Sequence, residues 1–344
     1  MTTISNVTDV EEPSDSAGAP GAANFSMVLG LAGLGQAWRF ATKLWPIPPQ
    51  VGEAIIFLAF LTWAGLLLAY VIRAIRHPLS VRKEFIHPVQ GATPALIGIA
   101  TLLMVPAVEP YSTHAAIVVL ALGATWHFLF AVWHSGRDWQ RGRDAARVTP
   151  TVYLPTVAGN FTAGAAFGVM GWADIGWCFL GAGLFSWLAL ESVVLQRLWQ
   201  SQTFKVAHRA SIGIHFAPPA VAASSWLAIA PGTTDHWVIM LWGYGLFQLL
   251  LGLRLVQWLR VQPFSRAYWS YTFGVSSTAL VTVKFALAGL PVAMHVAAPV
   301  LVGATIFESY LLVRTVLNVF TTISRPLVRD IVTSAEEKAD APSI

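Results

Sequence analysis

Few residues of this chain could do chemistry, and most of those few lie inside long apolar stretches. An ionised group costs about 2.5–3.5 kcal/mol to insert at the centre of a membrane helix, so each one needs a reason. Lys284 sits late in its stretch. It reads either as a group that draws anions to an outer mouth or as a long side chain whose amine snorkels to the interface. Glu191 and Glu308 lie in uniformly apolar surroundings, where a partner on the same helix or at a subunit contact is the simpler role. His215 stands three residues before Pro218-Pro219 and could bind substrate or titrate, although a hydrogen-bonded packing histidine is the commoner case. His127 and His134 are two turns apart and could hold haem with His215 or His295 opposite, but the depths of these residues are inconsistent. Phe273 is the odd aromatic: Trp269-Ser-Tyr-Thr-Phe-Gly-Val-Ser-Ser-Thr278 sets one large ring among small polar residues. On a pore helix such a ring plugs the path and excludes water; in isolation it would be core packing.

Other chemistries have no residues to carry them. The chain contains no Walker loop, no HExxH, no paired-carboxylate motif and no EF-hand. Gly33-Leu-Gly35, Gly181-Ala-Gly183 and Gly243-Tyr-Gly245 are bare triplets in apolar runs and give no phosphate signal. No enzyme, no cofactor and no metal site are expected, and no ATP-driven transport by this chain alone. Basic and aromatic residues do not interleave as in nucleic-acid binders. The one cysteine, Cys178, leaves nothing for an intrachain disulfide or a cysteine-based cluster.

The elements that must position these residues follow from composition. Charged residues make up 11% and mean hydropathy is +0.62, against about 25% charged in soluble domains. Lipid must therefore solvate much of the chain, and long apolar runs without period-2 alternation select helices. A crossing needs about 20 residues. Ten such segments are expected, near 24–43, 51–75, 88–107, 113–135, 149–171, 175–199, 210–230, 236–259, 266–289 and 291–320. All of the 21 Lys and Arg except Arg39, Lys43 and Lys284 fall in or beside every second gap, or at the end of the last segment and beyond. By the positive-inside rule those gaps and both termini face the cytoplasm. Residues 1–23 hold Asp9, Glu11, Glu12 and Asp15 without Lys or Arg and read as a disordered cytosolic tail, not a secretory signal. Residues 321–344 form a second cytosolic tail, expected without structure after about residue 324.

The remaining gaps are short, so the segments are expected to run as five antiparallel hairpins. Their members differ. Even segments are bulky and greasy, whereas odd ones carry Gly, Pro, Ser and Thr: Thr93, Pro94 and Gly98 in the third, Pro155, Gly159 and Asn160 in the fifth, Ser276 and Ser277 in the ninth. Helices that face lipid gain nothing from such residues, whereas helices that line a hydrated path do. Tight packing is the competing reading, and Gly164-Ala-Ala-Phe-Gly168 is a GxxxG of that kind. Recurrence in every pair favours five inner helices around a central path.

Four motifs then resemble the tellurite-resistance/dicarboxylate transporter family, and its bacterial TehA branch most. They are Glu84-Phe-Ile-His-Pro-Val89, Tyr153-Leu-Pro-Thr-Val-Ala-Gly-Asn-Phe161, Ile212-Gly-Ile-His-Phe-Ala-Pro-Pro219 and Trp269-Ser-Tyr-Thr-Phe-Gly274. The resemblance covers residues 24 to about 320. It implies an all-α domain over 24–320, with a quasi-fivefold pore of odd helices, assembled as a homotrimer in a bacterial inner membrane. It implies that Phe273 occludes the pore and that prolines kink the inner helices, here Pro94, Pro155, Pro218 and Pro219. Pore-lining candidates are Pro94, Pro155, Phe161, His215, Phe216, Pro218, Gly274 and Ser277, with Lys284 attracting anions. The partners implied are small inorganic or carboxylate anions and the bilayer, not nucleic acid. A proton-coupled C4-dicarboxylate carrier is the rival, with His215 as its only candidate proton site.

Overall fold

The computed structural model describes residues 20–141, 148–200, 206–261 and 263–339, and among these it is helical without a strand. In chain order the helices are α1 (Ser26–Ala41), α2 (Gln50–Arg76), α3 (Pro78–Ile86), α4 (Ala95–Leu103), α5 (Val105–Val108), α6 (Thr113–Arg141) and α7 (Gly159–Val169). They continue with α8 (Ala173–Trp199), α9 (Ile212–His215), α10 (Pro218–Ile229), α11 (His236–Leu259), α12 (Thr272–Leu287) and α13 (Pro291–Ala339).

Among the described residues seven helical stretches are long and apolar enough to cross a membrane, and they fall into two kinds. The most apolar window of Gln50–Arg76 is only 17% buried, whereas that of Gln90–Val108 is 83% buried. Side-chain size explains the division. Phe57, Leu68, Leu122, Phe185 and Leu250 project from α2, α6, α8 and α11 as exposed apolar bulk. The buried helices carry small residues that let backbones approach. A Cβ at Gly30 or Gly33 of α1 would collide with Thr272 or Ser276 of α12. Gly164 and Gly168 of α7 meet Ser225 and Ile229 of α10, so this GxxxG packs helices together.

These contacts close a ring. α1, α4, α7, α10 and α12 pack on one another in that order, and α12 returns to α1. Each is backed by the long exposed helix that follows it: α2, α6, α8, α11 and α13 respectively. Three of the links from a buried helix to its backing helix turn on glycines in the left-handed region, Gly171 (φ 78°), Gly232 (φ 78°) and Gly289 (φ 82°), where a side chain would be strained.

At the other end every buried helix is entered through a short 3-10 turn: Ala22–Phe25, Gln90–Ala92, Pro150–Val152, Val206–Ser211 and Arg266–Tyr271. The prolines mark breaks more than smooth kinks. Pro94 precedes α4, Pro155 lies in a π-turn over Leu154–Ala158, and Pro218 opens α10 directly after α9. A missing N–H is harmless in a first helical turn, which accounts for these positions.

Two segments differ from the sequence reading. The basic gap after α2 folds as α3, because Pro78 restarts a helix immediately after His77. The last helix runs unbroken to Ala339, past the point near residue 324 where structure was expected to end. Its final residues, Ser334-Ala-Glu-Glu-Lys-Ala339, have helix-forming propensity that an argument from low hydropathy ignores. Residues 1–19 of the N-terminal tail lie outside the described residues.

Candidate functional site: the central cavity and its wall

All five entry turns converge on one cavity of about 180 Å3 inside the ring. Its mouth is polar, with Ser26, Gln90, Thr93, Thr151, Ser211 and Ser270 contributed from around the ring. Its floor is apolar. The lining residue furthest along each buried helix is Leu29, Leu96, Phe161, Val221 or Phe273, one from each of the five. At this floor Phe273 is 6% exposed and Phe161 is 0% exposed.

Of the residues singled out in the sequence, Phe161, Pro218 and Phe273 lie on this wall. Pro94, Pro155, His215, Phe216, Gly274, Ser277 and Lys284 do not. Gly274 sits where α12 meets the backbone of Phe216 and Ala217. Phe216 packs with Tyr271 in a separate cluster, and Ser277 is buried.

His215 lies behind the wall, in a polar network that sequence reading missed. The Glu191 Oε2 accepts hydrogen bonds from the Tyr153 hydroxyl (2.7 Å) and the Trp187 indole N–H (2.8 Å). Its Oε1 accepts from the Tyr244 hydroxyl at 3.2 Å. His215 Nδ1 is 3.3 Å from the Tyr153 hydroxyl and 3.8 Å from Glu191 Oε2, and its ring stacks on Tyr153. Trp187 is a partner on the same helix, as anticipated for Glu191. Tyr153 comes from the cavity wall, so α8 reaches through to the site itself. Tyr153 opened a recognised motif, but nothing in the sequence joined it to a residue 38 positions away.

His127 and His134 are packed elsewhere in the protein. His127 Nε2 lies 2.9 Å from the Asn160 side-chain oxygen, and its ring fills the space beside Gly159. His134 Nδ1 is 3.7 Å from Asp138 Oδ2. Among the described residues no group of three His, Cys, Asp or Glu could hold a metal ion. Glu308 is 1% exposed beside Gly30, and neither carboxyl oxygen has a hydrogen-bond partner among the described residues.

The far end of the ring carries a second set of charges. Arg39 makes a two-pronged pair with Glu53 (2.8 and 2.7 Å) and donates to the Pro106 carbonyl (2.9 Å). Tyr111, in the connection after α5, also donates to Glu53, and that hydrogen bond raises the phenol above its ordinary pKa. Lys43 and Lys284 place their amines 4.9 and 4.8 Å from the centre of one ring, Phe40. Neither lysine has a carboxylate partner among the described residues, so both amines lie against one phenyl ring.

A family profile described as voltage-dependent anion channel matches residues 21–322, which takes in every helix of the ring. The tellurite resistance protein TehA homolog of Haemophilus influenzae is 33% identical over 256 residues, covering 74% of this chain and 78% of its own. The S-type anion channel SLAH2 of Arabidopsis thaliana is 26% identical over 303 residues, 82% of this chain and 55% of its own. The guard cell S-type anion channel SLAC1 of the same plant is 22% identical over 276 residues, 76% of this chain and 49% of its own. The chain thus spans about half the length of these plant relatives.

Proposed function

The chain belongs to the voltage-dependent anion channel family, and from that premise we propose that it passes halide, nitrate and tellurite-type oxyanions across a membrane through the ring of buried helices. The observation that carries this reading is the cavity, to which all five buried helices contribute a polar mouth and an apolar floor. An anion entering it meets hydroxyls and the N-terminal ends of five helices, whose aligned peptide dipoles favour negative charge. Among the described residues the wall carries no Lys, Arg, Asp or Glu, and its one ionisable imidazole is His208. At the floor it must shed water, and Phe273 is the gate that has to rotate before it passes. Gly274 positions that ring by letting α12 approach Phe216–Ala217, and Ser277 continues the same helix. Pro94, Pro155 and Pro218 break their helices where the wall needs backbone turned inward, with Phe161 beside the gate. Lys284, together with Lys43, draws anions to the far mouth.

This reading takes ten crossings in five hairpins, in quasi-fivefold order, over residues 24–320, with both tails in the cytoplasm. The alternation of buried and exposed helices supports the hairpins, and the distribution of basic residues supports the orientation. A bacterial inner membrane and a homotrimer rest on the family resemblance.

Currents through planar bilayers under chloride, nitrate and malate gradients test the gate. Phe273→Ala should raise current several-fold, with reversal near the anion equilibrium potential. Unchanged current from folded, inserted protein removes Phe273 as the gate.

The proton-coupled C4-dicarboxylate carrier is favoured by one observation, the contact of Tyr153 on the cavity wall with Glu191 and His215 behind it. It requires His215→Ala to abolish pH-driven malate uptake. Uptake that persists in that variant eliminates His215 as the proton site.

A further inference from the structure

A second concavity lies outside the ring, where α3 packs across the basic end of α6. It is an open groove of about 830 Å3 and belongs to neither the cavity nor its polar network. Its walls are of two kinds. Arg82, Arg137 and Gln140 supply its polar part, and Phe85, Ile86 and Trp133 supply apolar walls.

Arg137 and the Phe85 ring, which packs on Trp126, Phe130 and Trp133, tie the two walls together. Arg137 donates from Nη1 to the Phe85 carbonyl (2.8 Å) and from Nη2 to the Ile86 carbonyl (2.9 Å), fastening the C-terminal end of α3 to α6. Its guanidinium also lies over the Trp133 ring, 5.6 Å from the centre. Arg137 needs no carboxylate for this and has no carboxylate partner among the described residues. Arg82 is exposed and has no partner among the described residues. Neighbouring acids are engaged elsewhere: Glu84 accepts from Arg73 (2.8 Å) and the Ala22 N–H (2.7 Å), and Asp138 faces His134. Among the described residues no carboxylate lines the groove. α3 buries none of its residues in the protein, and Ile86 and Trp133 remain 48% and 45% exposed.

Two arginines with no carboxylate partner among the described residues, beside exposed apolar and indole surface at the end of a membrane-length helix, match a molecule with a negative head and a greasy tail. We propose that this groove is a binding site for an anionic phospholipid. Its phosphate meets Arg82 and the free edge of Arg137, and its chain lies along Ile86 and Trp133. Juxtamembrane basic side chains attract anionic lipid electrostatically, and the indole belongs at headgroup depth. The site goes beyond anion passage and stands or falls independently of it.

The full chain, purified in neutral detergent, is titrated with phosphatidylglycerol, phosphatidylcholine or inorganic phosphate. Retained lipid is read by native mass spectrometry and stability by thermal shift. The proposal expects phosphatidylglycerol to be retained and to raise the melting temperature, with phosphatidylcholine and phosphate doing neither. Arg82→Ala, which leaves the Arg137 fastening intact, should cut retention several-fold, and Arg82→Glu should cut it further. Arg260→Ala, at the end of α11, should leave it unchanged. Equal retention of the two lipids, an undiminished Arg82→Ala, or a matching shift with phosphate alone overturns the site.

Discussion

At the scale of single residues, the two phenylalanines on the cavity floor are not equivalent. Phe161 is wedged between α7 and α8: a Cβ at Gly183 would come within 2.6 Å of its ring, and Trp187 meets it edge-on at 6.5 Å. Phe273 retains a sliver of exposure toward the cavity. Phe161→Ala should therefore cost about 3–5 kcal/mol as a core truncation. Phe273→Ala should cost less and act mainly on current; thermal melts of both proteins beside their currents check the contrast. Glu191 is the other residue-scale test. Glu191→Ala strands the indole N–H of Trp187, at about 1–3 kcal/mol, and leaves the Tyr153 hydroxyl only His215 Nδ1, 3.3 Å away. Glu191→Gln keeps an acceptor oxygen and should melt above the alanine variant. Equal melting temperatures would mean that the hydrogen bonds contribute nothing. Phe273 was legible in the sequence because a large ring among small polar residues breaks a local pattern. The Glu191 network was not, since its members come from three helices and the entry turn before α7, and each alone looks like an ordinary packed residue.

At the scale of elements, the small residues that suggested a hydrated path serve two purposes, and the glycine contacts separate them. Gly33 faces Ser276 with no space for a methyl group, whereas Gly181 on α8 has open surroundings. Gly33→Ala should lower the melting temperature by forcing α1 from α12. Gly181→Ala should be neutral or stabilising by up to about 1 kcal/mol, the helix-propensity difference. Ser276→Gly added to Gly33→Ala should recover part of the loss, and a double-mutant cycle with no coupling would sink this account of the α1–α12 seam. The contrast between greasy and small-residue helices was readable because lipid and protein neighbours demand different side-chain volumes. The 3-10 entries, the π-turn at Pro155 and α3 were not. Each depends on how a few backbone hydrogen bonds are satisfied by neighbours remote in sequence, such as Glu84 accepting from Ala22.

At the scale of the molecule, the count of crossings decides how the chain is threaded. Among the described residues seven stretches satisfy length and apolarity on their own. α1, α7 and α12 hold only 16, 11 and 16 residues, and 16 residues rise about 24 Å at 1.5 Å each, short of a hydrocarbon core of about 30 Å. The shortfall has a physical reason. These helices begin beyond their entry turns, beside the cavity, where backbone can be irregular because it faces protein or water and not lipid. Length and composition alone therefore miss three of the five helices that line the site, α1, α7 and α12. The two counts predict different topologies: ten crossings put both ends of the chain on one side, whereas seven put them on opposite sides. Cys178 is the sole cysteine, so a Cys178→Ser background allows single cysteines to be placed at Gln140, by the basic end of α6, and at Asp235, in the link between α10 and α11. An impermeant maleimide applied to intact cells should label Asp235→Cys and spare Gln140→Cys, and epitope tags at both termini should be reached only after permeabilisation. One tag reached from outside would break the ten-crossing arrangement, and with it the parallel ring whose five entry turns meet at one cavity.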